Sequence, residues 1–234
     1  MRPTPDGPKR KRMNYQFDWS AVWAPGLWIK GIWITFAYGG LTTVAGLFLG
    51  LILGLLLTSK YPAARHPVSL FIGLFRCTPV LIQIIWFYYA FPIALGIDMP
   101  AWLAAGFGLT FYMAAFVAEI FRGGIQSIEK GQWNACRSLC MSDWQAMYHV
   151  ILPQAFRRMT PAIVNQSIIQ IKNTSLLSVI AVHDIMFTAS YLTAQTYRPL
   201  EIITFAALLY AALIWPMASI AYQVERRFAR GIAH

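Results

Sequence analysis

Four stretches of the chain run for about twenty residues or more without Asp, Glu, Lys or Arg: Gly31 to Ser59, Cys77 to Ile97, Met99 to Ala118 and Ile202 to Val224. A fifth, Thr160 to Val182, is broken only by Lys172. A helix needs about 20 residues to cross the roughly 30 Å hydrocarbon core of a bilayer. The pattern therefore predicts five membrane-spanning helices, the second and third separated by little more than Gly96, Asp98 and Pro100. The first run is too long for the apolar segment of a cleavable leader. It carries Gly46, Gly50 and Gly54 on one helix face. Such a strip lets another helix approach closely, although glycine is also simply common in membrane helices.

Composition sharpens this reading. Of 234 residues, 58% are hydrophobic and 12% charged, about half the charge of a typical soluble domain. That excludes a soluble enzyme domain, and it excludes a disordered chain, which needs low hydrophobicity. Nineteen Lys and Arg against nine Asp and Glu leave a net charge of +10. In a soluble protein this would hint at nucleic acid. Here it fits basic flanks against anionic lipid, with the bilayer as partner and no nucleic acid. Cys77, Cys136 and Cys140 are too few, and odd in number, for a disulfide framework.

Basic residues also set an orientation. Arg122, Lys130, Arg137, Arg157 and Arg158 mark one connection. Lys60 and Arg65 mark the first, with Arg76 if the second span begins late, and Arg226, Arg227 and Arg230 mark the C-terminal end. All three regions fall on one side of a five-span chain. The other side has the Ile97–Met99 turn, with no Lys or Arg, and the loop after Phe187, with Arg198 alone. The bias puts the C-terminus in the cytoplasm and the N-terminus outside. Residues 1–12, with Arg2, Lys9, Arg10, Lys11 and Arg12, oppose that placement. Residues 1–19 are expected to be a flexible basic tail, in part an extension before Met13. Residues 20–225 are then the transmembrane domain and 226–234 a cytoplasmic tail.

The connection between Arg122 and Arg158 spans 35 residues, RGGIQSIEKGQWNACRSLCMSDWQAMYHVILPQAFRR with its ends, and it is not loop-like. Ile125, Ile128 and Trp133 are apolar at near-helical spacing, continued unevenly by Ala135, Leu139 and Met147. Ser142 before Asp143 is an N-cap for a helix Trp144 to Leu152, which Pro153 is expected to interrupt. The segment predicts two short amphipathic helices around a break at Cys140-Met141-Ser142. The alternative is an interfacial helix lying on the membrane.

This segment resembles the EAA loop of permease subunits of bacterial ATP-binding-cassette importers. That pattern is roughly E-A-A, three residues, G, some nine residues, then I-x-L-P. Here it reads Asn134-Ala135-Cys136, three residues, Cys140, and later Val150-Ile151-Leu152-Pro153. Five stretches in order resemble the polar amino-acid subfamily: Phe75 to Pro79 followed by Gln83; Ala118 to Ile125; Lys130-Gly131-Gln132; Ile151 to Ala155; and Lys172 to Leu176. The resemblance covers about Met13 to Arg227. It implies an all-α integral membrane protein of five transmembrane helices with a cytoplasmic coupling-helix loop, the type I importer permease fold, in a bacterial inner membrane. It also implies that the loop docks on an ATP-binding-cassette ATPase dimer. The coupling residues would be Gly131, Gln132, Trp133, Asn134, Ala135, Cys136, Leu139, Cys140 and Ser142. Asn134 stands where the pattern has Glu, and Cys140 where it has Gly. Cysteine takes a positive φ less easily than glycine.

Ionisable residues within spans usually face a cavity or a partner. Gln170, Lys172, Asn173, Thr174 and Ser175 interrupt an apolar segment and form a candidate lining for the path of a polar amino acid, with Glu119 as a further candidate. Against this, Glu119 can pair with Arg122 one turn on, and Lys172 can snorkel or bridge subunits. Where family members carry Asp this chain has Asn173, which weakens any preference for cationic substrates. His183 and Asp184 suit capping, since adjacent helical residues do not face one another. Arg76 with Pro79 marks a structural break and interfacial anchor. Trp86, Phe87, Tyr88, Tyr89 and Phe91 suggest an interfacial belt. Cys136, Cys140 and a distant His149 do not make a zinc set.

No G-x-x-x-x-G-K-[ST] occurs, nor a nucleophile elbow, an H-E-x-x-H or a paired-carboxylate motif. A non-catalytic subunit without cofactors is expected, with ATP and Mg bound by the partner ATPase. Five spans are few for a path gated on both sides. A second permease subunit, identical or homologous, is therefore expected, as is a periplasmic or surface solute-binding protein to deliver the amino acid. The other readings are an autonomous ion-coupled secondary transporter or channel, which lacks the inverted repeats or carboxylate relay it would need, and a membrane enzyme, which lacks catalytic groups.

Overall fold

The computed structural model describes residues 15–59 and 61–230. The basic segment 1–12, Met13 and Lys60 lie outside the described residues. Among the described residues the chain is helical with no strand: α1 (Pro25–Leu57), α2 (Pro62–Cys77), α3 (Val80–Ile85), α4 (Phe91–Leu95), α5 (Ala101–Gln126), α6 (Lys130–Ser138), α7 (Asp143–Ala146), α8 (Leu152–Asn173), α9 (Ile185–Thr196) and α10 (Pro199–Arg230). Three helices are long and apolar enough to cross a membrane unbroken: α1, α5 and α10 as far as Gln223. Two bent helix pairs also pass that test when each is taken together. Pro62–Cys77 turns by 108° into Val80–Leu95, and Asp143–Ile180 turns by 43° into Ile185–Thr196. Three of the five expected spans are thus straight helices, and the count reaches five where each bent pair is one span.

α5 is the hub, with α1, α2, α3 and α8 packed around it. The buried residues of α1 are Trp28, Gly31, Thr35, Gly39, Thr42, Gly46, Gly50 and Gly54. They recur every third or fourth position and form one small-residue seam along 33 residues. The glycine strip is a close-packed interface. A Cβ on Gly46 would lie 2.5 Å from that of Met113, one on Gly50 2.6 Å from that of Val117, and one on Gly54 2.8 Å from the Phe121 ring. The seam continues upward, where a Cβ on Gly39 would meet Ile171 at 2.9 Å and one on Gly31 the Asp184 carbonyl at 3.0 Å.

Each broken span frees backbone groups that hydrocarbon cannot satisfy, and a polar side chain meets each need. At the first break, Thr78-Pro79, buried Gln83 donates through Nε2 to the carbonyls of Phe75 (2.8 Å) and Thr78 (3.0 Å) and to the Thr78 hydroxyl (2.9 Å). At the second, Asp184 caps α9 by accepting from the Phe187 N–H at 2.8 Å and also accepts from the Tyr210 hydroxyl at 3.2 Å. The Thr35 hydroxyl of α1 accepts from the Ile185 N–H at 3.4 Å. The capping duty expected of Asp184 is thus what the structure shows.

Several expectations change. The segment Lys60 to Arg76 was expected to be a connection; from Pro62 it is helix α2, whose Val68, Ile72 and Phe75 are buried. Pro153 does not interrupt its helix. A π turn, Met147–Ile151, precedes it, and the Leu152 N–H reaches the Met147 carbonyl five residues back. A wider turn moves away the carbonyl that a proline ring would strike. The same arrangement, Trp86–Ala90, precedes Pro92. The aromatic run is only partly a belt, because Phe87 is buried against Phe75, Phe107 and Phe111, while Trp86 and Tyr89 are exposed.

The tail boundary also moves. Tyr15 and Asp18 are fastened to fully buried Glu201 through the Tyr15 hydroxyl (2.5 Å) and the Asp18 N–H (2.9 Å). Trp19 opens a short 3-10 helix, Trp19–Val22. The Ser20 hydroxyl and amide hold the Asp18 carboxyl below its ordinary range. The hydrogen bond to Glu201 raises the Tyr15 phenol. At the other end α10 runs through residue 226 to Arg230, so the expected tail begins inside a helix.

The seam sets a test. Gly50→Ala is expected to destabilise the protein by about 1–3 kcal/mol, since its Cβ would also lie 2.8 Å from the Ala114 carbonyl. Gly40→Ala, with nothing within 4 Å, is expected to fall within about 0.5 kcal/mol of the parent. Thermal unfolding of the detergent-solubilised protein measures both, and equal shifts would contradict the seam.

Candidate functional site

Two places carry the candidate residues: an elbow between α5 and α8, and the end of α8. The elbow begins as α5 ends. Phe121, Ile125 and Ile128 pack with Ile151, Ala155 and Met159 of the returning chain, and half-buried Trp133 of α6 joins them. Gly124 lets Met159 come within 3.1 Å of where a Cβ would stand. Gln154 Nε2 donates to Gln132 Oε1 at 3.2 Å, and Arg158 donates to the Ser127 carbonyl. The elbow is thereby fixed to both α5 and α8.

Cys140 occupies the special position of this elbow. Its φ is +53°. The Met141 N–H bonds the Cys136 carbonyl (3.0 Å) and the Cys140 N–H the Arg137 carbonyl (2.9 Å), the paired bonds of a helix C-terminus that usually has glycine at this site. Next, Ser142 starts α7 with a reciprocal capping box. The Gln145 N–H donates to Ser142 Oγ at 3.3 Å and the Ser142 N–H to Gln145 Oε1 at 2.9 Å. The expected break at Cys140-Met141-Ser142 is therefore present, with a tight turn on one side and a cap on the other.

The structure divides the proposed coupling residues. Trp133 and Cys136 face the chain, while Gly131, Gln132, Asn134, Ala135, Leu139, Cys140 and Ser142 are exposed. Beside them, exposed Trp144 and Tyr148 stack with ring centroids 5.9 Å apart. Sequence reasoning did not single out this pair. The i, i+4 spacing of two aromatics after a helix cap was the available signal.

The second place is a change of helix type. α8 ends at Asn173 and continues as a 3-10 segment, Thr174–Ile180. Gln170 and Thr174 point into the bundle and are fully buried. Gln170 Nε2 donates to the Thr42 hydroxyl of α1 at 3.0 Å and to the Leu109 carbonyl of α5 at 2.8 Å, so it cross-links three spans. Lys172 and Ser175 lie on another face. They line a groove of about 450 Å³ against Tyr210, Ala211, Ile214 and Trp215 of α10. Asn173 lies between the two faces, half-buried.

Glu119 does not join this cluster. It lies ten residues, about 15 Å, further along α5 than Leu109. Its carboxylate accepts from Arg122, with Arg76 Nη1 at 3.6 Å. Thr78 and Gln83 line an apolar pocket with Leu74, Ile82 and Trp86 at the first break. A lone amide four residues after a proline in an otherwise apolar run was the signal for Gln83. Among the described residues no three His, Cys, Asp or Glu side chains gather as metal ligands.

Residues 46–234 match the family model of the binding-protein-dependent transport system inner membrane component. The chain is 37% identical over 214 residues to the glutamine transport system permease protein GlnP of Escherichia coli (strain K12), covering 91% of this chain and 98% of that protein. It is 33% identical to the arginine transport system permease protein ArtQ of Bacillus subtilis (strain 168), covering 92% and 98%. Among solved structures, one described as an amino acid ABC transporter with histidines superposes with a TM-score of 0.86 at 32% identity, covering 91% of this chain and 100% of that one. The MetNI methionine ABC transporter in inward-facing form shares the fold, with a TM-score of 0.70 at 18% identity over 87% of this chain and 97% of that one.

The turn at Cys140 yields a prediction. A non-glycine residue in the left-handed region costs about 1–2 kcal/mol, offset in glycine by about 0.5–1 kcal/mol of backbone entropy. Cys140→Gly is expected to leave thermal stability level or raise it slightly, while the β-branched Cys140→Val lowers it. A Val variant as stable as the parent would show that the turn does not hold this φ.

Proposed function

This chain belongs to the family of binding-protein-dependent transport system inner membrane components, and on that premise we propose that it converts ATP hydrolysis on a separate chain into the opening of a path for a polar amino acid. It is a multi-pass amino-acid ABC transporter permease subunit of the inner membrane. In the proposed assembly an ATPase dimer docks on the elbow and a second permease subunit, identical or homologous, completes the path. An external solute-binding protein delivers the substrate. ATP and Mg belong to the ATPase.

The observation that carries this reading is the mechanical continuity of the elbow. Leu139, Trp144 and Tyr148 are exposed on one side, and on the other the elbow is packed into the ends of α5 and α8. A push there moves both spans together. Useful work requires that the docked partner bind the elbow differently in its two states. The basic residues support an orientation with elbow and C-terminus in the cytoplasm and the N-terminus outside.

The path is proposed to run along the face bearing Lys172, Asn173 and Ser175. Lys172 has no carboxylate partner among the described residues, whereas the spanning carboxylates Glu119, Asp184 and Glu201 are all bonded within the chain. An ammonium at that depth costs about 2.5–3.5 kcal/mol in lipid and needs water, another subunit or a substrate carboxylate. The substrates named for the relatives, glutamine and arginine, make a polar amino acid the reading for this chain.

Two measurements test the assembly. Leu139→Asp and Trp144→Asp are expected to weaken co-purification of the ATPase by tenfold or more, since each costs about 1.4 kcal/mol or more at a docking surface. In vesicles holding the complete transporter, blocking ATP hydrolysis is expected to abolish uptake. Uptake that persists on a proton or sodium gradient overturns the proposal in favour of an autonomous ion-coupled transporter. For the path, Lys172→Gln is expected to slow uptake by about tenfold, the loss of one charged hydrogen bond, with ATPase co-purification unchanged. Unchanged uptake removes Lys172 from the path.

A further inference from the structure

Where α1 ends and α2 begins, a polar pocket of about 360 Å³ opens at the surface. Arg65, Ser69 and Ile72 of α2 face Glu119, Arg122 and Gln126 of α5 across it. Its charges do not cancel. The Glu119 carboxylate is taken by Arg122 through Nε and Nη2, with Arg76 also beside it. Arg122 Nη1 donates to Gln126 Oε1 at 2.7 Å. That leaves Arg65, exposed and with no carboxylate partner among the described residues. One carboxylate thus stands among three guanidinium groups.

Local backbone electrostatics work in the same direction. Arg65 and His66 lie in the first turn and a half of α2, which has no acidic residue in its first turn and no side-chain cap. Cations at a helix N-terminus oppose the helix dipole, and an anion there would be favoured. The pocket's apolar lining is Leu57 of α1 and Ile72 of α2, and Leu70 of the same helix α2 is exposed. An anionic group held beside exposed apolar helix at the end of two membrane spans matches the chemistry of a phospholipid: phosphate in the pocket, acyl chains along the helices.

We infer that this pocket binds the phosphate of an anionic phospholipid headgroup, with Arg65 as its free cation. Arg122 stands at the pocket wall as a positioning residue already engaged with Glu119. The leaflet occupied, the cytoplasmic one, follows from the orientation proposed above. The site itself does not depend on the transport reading, and its test involves neither uptake nor ATP. By this inference the lipid clamps α2 to α5 beside the first broken span.

The test uses the full chain in its purified complex, stripped of lipid in detergent. Phosphatidylglycerol, phosphatidylcholine or inorganic phosphate is then added, and bound lipid and thermal unfolding are measured. Phosphatidylglycerol is expected to be retained and to raise the unfolding temperature, and phosphatidylcholine and inorganic phosphate to do neither. Arg65→Gln is expected to reduce phosphatidylglycerol retention about fivefold, the effect of one cation near an anionic surface, and Arg65→Lys to restore most of it. Arg157→Gln, which removes an equal charge from an exposed position outside the pocket, is expected to retain lipid as the parent does. Equal retention of the two lipids, or equal losses in Arg65→Gln and Arg157→Gln, overturns the inference. Protection by inorganic phosphate equal to that by lipid overturns the lipid assignment and makes the pocket a site for a soluble anion.

Discussion

The fold depends on how closely α1 lies against its neighbours. Inside a membrane, helices gain little from burying apolar surface, since lipid is as apolar as leucine; association comes from close packing and interhelical hydrogen bonds. The seam on α1 supplies both. Gly46, Gly50 and Gly54 bring its backbone onto Met113, Val117 and Phe121 of α5, and Gly39 and Gly31 continue the approach to Ile171 and to the Asp184 carbonyl. Between the glycines stand two hydroxyls. Thr42 accepts from Gln170 in α8, and Thr35 accepts from the Ile185 N–H at the start of α9. One face of one helix therefore aligns α5, α8 and α9.

That alignment makes the broken spans tolerable. A bend exposes backbone donors and acceptors, each costly in hydrocarbon. Gln83 meets the need internally at the first break. At the second, Asp184 and Tyr210 share it with Thr35. The second break thus has a partner on α1, which is in place only because the seam is. Two further regions join this core: the elbow, held at α5 and α8, and the change of helix type after Asn173, whose Thr174, Leu177 and Ile180 are buried. The coupling candidates lie in the elbow, and the cluster from Gln170 to Ser175 lies across the change of helix type.

How much of this was legible follows from what each signal measures. The glycine strip was readable because glycine at every fourth position leaves one helix face bare for close approach, and α5 fulfils it. Ser142 and Asp184 were readable as caps because a short oxygen-bearing side chain before a helix satisfies free N–H groups wherever it occurs. The need for a positive φ at Cys140 came from position within a pattern, since cysteine itself gives no hint of it. The first break was legible, because Arg76 with Pro79 marked it, but its angle was not. A run without charges reports depth in the membrane and not direction, so nothing in Cys77 to Ile97 told of the 108° between α2 and Val80–Leu95. α2 was hidden for the same reason, its Arg65, His66 and Arg76 having the look of a connection. Pro153 misled because the rule for proline assumes a regular α-turn before it, and a π turn removes the clash.

The division of the Gln170 to Ser175 cluster shows the limit of reasoning from residue type alone. All five side chains are polar, and in sequence they form one interruption of an apolar segment. A helix nevertheless distributes adjacent residues over different faces. Gln170 and Thr174, four apart, turn inward, where burial without bonds would be costly, and Gln170 spends its donors on Thr42 and Leu109. Such a residue holds spans together and is poorly placed to meet a passing solute. Lys172 and Ser175, three apart, turn to the groove beside Tyr210 and Trp215; the Ser175 hydroxyl donates to the Lys172 carbonyl at 2.8 Å, and the Lys172 ammonium is left without a carboxylate partner among the described residues. Polar groups that hold the bundle together are therefore distinguished from those left for a solute by whether their partners lie inside the chain. By the same criterion Glu119, neutralised by Arg122 and Arg76, belongs with the framework.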